Sequence, residues 1–310
     1  MITRPYVKGS PEVSRLGFGG WPLGNEAHGH RMDEAEGVAL VRQAFDSGVN
    51  FFDTSPNYAS GQSESILGFA LHDVRDKVVI NTKFGHKADG TSDFDPGHIR
   101  ASVMESLKRL RTDHLDSVIL HNPPMEILKG ETAHPDAFKA LKDEGLIKGY
   151  GVSIDTRTEL ETVLNTLDVD VIELLFNVYS QQSRDLLDEV KARGIALIIK
   201  VPLDSGWLTG KYDRNTAFDG IRSRWTAGDI LRRDMLTTQL KAITGSEDLV
   251  PHAMGFLWSF DAVTTVIPGI RTPDQLIAHL NAERRVFDRR LKDAFINFHD
   301  TVIASDPLPW

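Results

Sequence analysis

Four residues carry the chemistry open to this sequence: Asp53, Tyr58, Lys83 and His121. Asp53 closes the apolar run Phe51-Phe52-Asp53, Lys83 closes Ile80-Asn81-Thr82-Lys83, His121 closes Ile119-Leu120-His121, and Tyr58 follows five residues after Asp53. Taken singly, each has a plain structural explanation: a turn cap, a lysine reaching solvent, a hydrogen-bonded interior histidine. Together they say more, because adjacent parallel strands lie ~5 Å apart and barrel enzymes place their catalytic side chains at strand carboxyl ends. A buried Asp53–Lys83 pair partly neutralises itself, whereas a lone buried charge is costly. The consequence falls on the tyrosine. A phenol of pKa ~10 is a poor acid near neutrality, and a neighbouring ammonium is expected to lower that value. Tyr58 is then a proton donor to the oxyanion formed when hydride reaches a carbonyl, and a base in reverse. His121 orients the carbonyl oxygen.

The elements that must position these groups are legible as an alternation. Short Val- and Ile-rich runs at 15–19, 50–53, 78–83, 117–121, 148–152, 171–174, 196–201 and 265–267 are separated by stretches of helical period, the pattern of repeated β/α units. Eight such units predict an α/β fold of the (β/α)8 TIM-barrel type, one domain over residues 1–310, a length that a barrel with insertions accommodates. Helices are predicted at 33–48, opened by Asp33, at 95–110, opened by Asp95-Pro96, and at 136–144, 157–165, 183–193 and 272–281. Two more at 229–243 and 248–260 precede the last strand, and one at 288–303 is expected to pack outside the barrel. Gly145 and Gly194 stand where a helix turns back to a strand, a place for left-handed backbone. The polar stretch 204–229 reads as a binding loop, its tip at 213–224 expected to be mobile without ligand.

Composition narrows the function. With 41% hydrophobic and 25% charged residues the chain has material for a sizeable core. A formal charge of −9 argues against nucleic acid or anionic membrane as partner. No apolar run approaches the ~20 residues of a membrane span, and the opening Met1-Ile2-Thr3-Arg4-Pro5-Tyr6 lacks the apolar stretch of a secretion signal, so a cytoplasmic location is expected. The absence of cysteine removes disulfides, thiolate nucleophiles and cysteine-ligated metals. His28-Gly29-His30 has no carboxylate at ligand spacing, and no metal is expected.

The series Phe52-Asp53-Thr54-Ser55-Pro56-Asn57-Tyr58, Gly61-Gln62-Ser63-Glu64-Ser65-Ile66-Leu67-Gly68, Leu107-Lys108-Arg109-Leu110, Leu120-His121-Asn122-Pro123, Gly149-Tyr150-Gly151-Val152-Ser153, Pro202 through Tyr212 and Ile267-Pro268-Gly269 closely resembles the aldo-keto reductases. The resemblance runs through nearly the whole chain. It implies a catalytic tetrad of Asp53, Tyr58, Lys83 and His121, and a nicotinamide cofactor bound across the barrel mouth without a Rossmann domain; the glycine fingerprint of such a domain is indeed missing. It assigns cofactor contacts to Ser153, to the loop bearing Pro202, Leu203, Ser205, Gly206, Leu208, Gly210 and Lys211 around the pyrophosphate, and to Gly269, Arg271 and Gln275 at the adenosine end. Arg271 favours NADP(H), with NAD(H) as the alternative, because a guanidinium can hold the distinguishing phosphate; its plain reading is an exposed arginine near a helix start. Trp21, His28 and Asn122 are the candidate substrate contacts, with Pro22, Asn25 and His30 at the same entrance, while Trp225, Trp258 and Trp310 read equally as packing.

The sequence departs from the family pattern at several places. Ile154 follows Ser153 where asparagine is common, Phe176 stands for a glutamine of the sixth strand with Asn177 as its substitute, Lys200-Val201 replace an aromatic and a serine, and His279 replaces an adenine-binding asparagine. Lys200 is read as a partner for the cofactor phosphates. The expected activity is hydride transfer between nicotinamide and an aldehyde or ketone, or the corresponding alcohol or sugar. The alternatives are a nicotinamide-binding regulatory or redox-sensing subunit with little turnover, and a metal-dependent barrel hydrolase or isomerase using Asp53, Lys83 and His121.

Overall fold

A computed structural model describes residues 1–27 and 30–309. Eight parallel strands form one sheet: β1 Phe18–Gly19, β2 Phe51–Asp53, β3 Val79–Phe84, β4 Leu115–His121, β5 Ile147–Ile154, β6 Val171–Leu175, β7 Ala196–Lys200 and β8 Val263–Val266. Neighbours in sequence are neighbours in the sheet. Parallel bridges Leu16↔Val266 and Gly19↔Gly269 join the first strand to the last and close the (β/α)8 barrel, with Gly17 N donating to Val266 O at 2.9 Å. The seam admits no Cβ: one at Gly19 would meet Ile267 O at 2.8 Å. Buried on both faces, these strands read as near-continuous apolar runs; every residue of β3 is buried, Asn81 and Lys83 included.

The barrel's floor is apolar. Val13, Phe51, Val79, Ile119, Val171 and Ile198 form an inner cluster apart from the larger core between sheet and helices. The antiparallel pair Thr3–Arg4 and Val13–Ser14 lies at this end, where Tyr6 sets its ring edge-on to Phe51 at 5.3 Å and its hydroxyl 2.7 Å from Ser117 Oγ.

The helices begin where local chemistry starts them. Asp33 and Glu36 make a reciprocal capping box at the head of Glu34–Asp46, as do Thr156 and Glu159 ahead of Arg157–Thr166. Gly145 and Gly194 take the expected left-handed backbone. Three expected helices divide: 95–110 becomes a tight turn Pro96–His98 followed by Ile99–Leu110, 183–193 becomes a tight turn Arg184–Leu186 followed by Leu187–Ala192, and 288–303 becomes Arg289–Phe298 followed by a wider turn His299–Ile303. The helix Gln62–Leu71 falls outside the periodic pattern, since Ser63 and Glu64 are buried rather than solvent-facing. Strand bounds also move, with β8 at Val263–Val266 rather than 265–267.

The stretch 204–229 folds around aromatic rings. Trp207 is fully buried, with the rings of Tyr212, Phe218 and Trp225 centred within 5.5–6.1 Å of it. Among the described residues no helix is long and apolar enough to cross a membrane.

Candidate active site

Consecutive strand ends deliver the site. β2 ends at Asp53, β3 carries Lys83 one residue before its end, and β4 ends at His121. Lys83 Nζ lies 2.7 Å from both Asp53 carboxylate oxygens and donates to Thr54 O at 3.0 Å. Asn81 Nδ2 adds a bond to Asp53 Oδ1 at 2.7 Å. The lysine and aspartate are 1% and 2% exposed, so the pair is effectively out of water.

Tyr58 reaches this pair because the chain after β2 turns sharply. Ala59, Ser60 and Gly61 all have positive φ, the last at +87°, and lead directly into the helix Gln62–Leu71. Two non-glycine residues held left-handed cost energy that the surroundings must supply. They do so through the motif residues Ser63, Glu64 and Arg109: Ser63 Oγ donates to Gly20 O, and buried Glu64 accepts from Thr82 Oγ1 and Arg109 Nε, both at 2.6 Å. The arginine's Cδ lies 3.0 Å from where a Cβ on Gly61 would stand. These residues brace the turn rather than touch the mouth.

Lys83 Nζ sits 5.0 Å from the Tyr58 ring centre, and the His121 ring stands edge-on to that ring at 6.0 Å. The expected lowering of the phenol's pKa does not occur. Burial pushes it well above its ordinary value, and Asp53 and Glu173 add to the rise, against the opposing pull of Lys83. Lys83 pulls the other way, but its ammonium is itself shared between carboxylates. Its own pKa, which burial lowers, is carried well up by Asp53 and Glu173. Asp53 itself is held above the usual carboxylate range, first by burial and then by Glu173, with Lys83 opposing. His121 is held well below the usual imidazole value by burial and by the charges of Lys83 and Lys200, so it is neutral. Its Nδ1 lies 3.3 Å from Ser55 Oγ, and the His86 ring packs edge-on against it at 4.9 Å.

Glu173 was not among the residues singled out in the sequence. It is 2% exposed on β6, with Oε2 at 3.4 Å from Lys83 Nζ, an ion-pair distance without a hydrogen bond, and Oε1 accepting from Ser153 Oγ at 3.0 Å. The register explains its position, since His121, Ser153 and Glu173 lie side by side across β4, β5 and β6. One charged residue inside Val171-Ile172-Glu173-Leu174-Leu175 was the available signal. Phe176, considered instead, is fully buried and packs on Phe256 and Phe260. Asn177 is also occupied: its Oδ1 accepts from Tyr179 N and Ser180 N, and its Nδ2 donates to Val201 O.

Lys200 lies with the polar groups of the mouth. Its Nζ donates to Ser153 Oγ and Asn122 Oδ1, both at 2.7 Å, and pairs with Asp155 at 2.8 Å, while Asn122 Nδ2 donates to Asp155 Oδ2. A chain of alternating charge therefore runs from Asp53 through Lys83, Glu173, Ser153 and Lys200 to Asp155.

Beyond β7 the backbone becomes left-handed at Val201, Asp204, Ser205, Gly206 and Gly210. Gly206 and Gly210 are required by close contacts within the protein: a Cβ would meet the Tyr212 ring at 2.6 Å and Glu247 O at 2.1 Å, respectively. A fully buried pair, Arg233 Nε to Asp204 Oδ2 at 2.9 Å, anchors this loop to the helix Ala227–Thr244. Pro202 and Leu208 are buried within it, Leu203 is half-buried, and Lys211 is exposed. At the seam, Gly269 faces Pro22, Arg271 Nη1 donates to Asn25 O, and Arg271 N donates to Gln275 Oε1. Trp21 is half-buried in the turn after β1. Trp225 and Trp258 are buried, whereas His28 and Trp310 lie outside the described residues. Among the described residues no three His, Cys, Asp or Glu side chains are grouped to hold a metal ion.

The model of the Aldo/keto reductase family matches residues 15–295. The chain belongs to that family. Similar proteins include an uncharacterized oxidoreductase, YqkF, of Bacillus subtilis, 24% identical with 91% of each chain covered. A probable voltage-gated potassium channel subunit beta of Oryza sativa is 29% identical, with 87% of each covered. The holo form of aldo-keto reductase AKR11C1 from Bacillus halodurans superposes with a TM-score of 0.80 at 22% identity over 96% of each chain, a likeness of fold. This aldo/keto reductase is thus an oxidoreductase by family, of a kind that acts on small carbonyl compounds.

Proposed function

We propose that the chain is an NADP-dependent oxidoreductase interconverting an aldehyde or ketone with its alcohol, with Tyr58 as general acid and base. The observation that carries this reading is a buried phenol beside a lysine clamped between two carboxylates, next to a neutral histidine, at the open end of the barrel. Bound nicotinamide supplies or accepts the hydride. Tyr58 supplies the proton. Its raised pKa keeps it protonated near neutrality, and a developing alkoxide is a strong enough base to take the proton. Lys83 then faces the phenolate left behind. Because Asp53 and Glu173 keep this lysine charged, it offers that phenolate a cation, fixed in place, in a poorly solvated site. His121 contributes a neutral ring to hold the substrate oxygen.

The residues present suit a dinucleotide. The left-handed loop after β7 turns several backbone groups in succession, Lys211 is exposed on it, and Arg271 and exposed Gln275 follow the eighth strand. Arg271 supports NADP over NAD on the grounds of its guanidinium. Mixing the purified protein with NADPH or NADH and a panel of aldehydes, ketones and sugars tests the reading. Carbonyl-dependent oxidation of NADPH with weaker use of NADH is expected; failure to bind either nucleotide overturns it.

A further inference from the structure

The mouth holds more negative than positive charge. Its chain of charges contains buried Asp53 and Glu173 and half-buried Asp155 against buried Lys83 and half-buried Lys200, while His121 and His86 have their basicity depressed by burial. Glu173 is the member in excess: Lys83 already bonds both oxygens of Asp53, Lys200 pairs with Asp155, and Glu173 Oε2 has no hydrogen-bond donor. A buried acceptor left unbonded costs free energy unless something arrives to use it.

The two redox forms of a nicotinamide differ by one positive charge on the ring. On the nicotinamide-binding reading that ring would lie beside the carbon whose oxygen Tyr58 and His121 hold, near Ser153 and Glu173, which are in register with His121 across β4, β5 and β6. We propose that Glu173 makes this site bind the oxidised, cationic form of the cofactor more tightly than the reduced form, which makes the bound reduced form a stronger hydride donor. The inference rests on the nicotinamide-binding reading above. Attraction by one carboxylate several ångströms away in a partly screened interior amounts to roughly tenfold in affinity. A cation at the same place also favours ionised Asp53, whose carboxyl Glu173 otherwise pushes towards its protonated form.

The test is a comparison of dissociation constants for NADP+ and NADPH, by calorimetry or Trp fluorescence, in the wild type, in Glu173→Gln and in Lys200→Gln, with thermal unfolding to verify the fold. Glu173→Gln is expected to move the ratio roughly tenfold towards NADPH, and Lys200→Gln to move it the other way, since it removes a positive charge. General damage to the site weakens both nucleotides alike and leaves the ratio unmoved. Equal ratios in all three proteins overturn the role of Glu173 while leaving nicotinamide binding intact. Binding of neither nucleotide to the wild type overturns the underlying reading and the inference with it.

Discussion

The chemistry open to this site depends on how one ammonium is shared. Lys83 is buried with two carboxylates and a phenol around it, so no neighbour can be removed without disturbing the others. Tyr58→Phe keeps the ring and its contacts but removes the proton; turnover should fall by at least ~10²-fold, the usual scale of general acid catalysis. NADPH affinity in a fluorescence titration should stay nearly unchanged, and retained turnover would remove the assigned acid. Lys83→Met acts differently. It leaves Asp53 and Glu173 buried without their cation, and denaturant unfolding should show a loss of about 3–5 kcal/mol, the scale for breaking a buried pair. A smaller cost would mean that water or protonation relieves the carboxylates easily.

The elements contribute by holding backbone where it would not rest alone. The turn after β2 is braced by Glu64 and Arg109, and the loop after β7 by Asp204 and Arg233. Burial lifts the Asp204 carboxyl above its ordinary range despite Arg233, so that carboxylate depends on its partner. Arg233 also donates to Pro309 O and lies over the Trp225 ring, tying the loop and the C-terminal segment to one side chain. Arg233→Leu is therefore expected to destabilise the protein by about 3 kcal/mol or more and to weaken nucleotide binding more than carbonyl binding. Paired thermal unfolding and cofactor titration measure both effects; unchanged nucleotide affinity would separate this loop from the cofactor.

At the scale of the whole molecule, acid sensitivity has a traceable source. Burial, aided by the charge of Lys211, pushes the His279 imidazole down from 6.5 to about 4, and its Nδ1 has no partner. A base depressed in the folded state takes up its proton on unfolding, so its stabilising share is present above pH 6.5 and is lost as pH falls towards 4. The share is on the order of 3 kcal/mol. His279→Asn should remove that part of the slope, seen as a smaller difference between unfolding midpoints at pH 7 and pH 4.5. An identical pH dependence in the variant would place the sensitivity elsewhere. Asp53, raised rather than lowered, works in the opposite direction over the same range, so the comparison must be between variants. The sequence alone determined the eight-unit alternation and the convergence of Asp53, Lys83 and His121, because strand period and strand-end position are local properties. It could not settle the sign of the Tyr58 shift, the place of Glu173 or the partners of Lys200. Those follow from register across β4, β5 and β6 and from depth of burial, which arise only when the sheet closes and many residues compete for the same few charges.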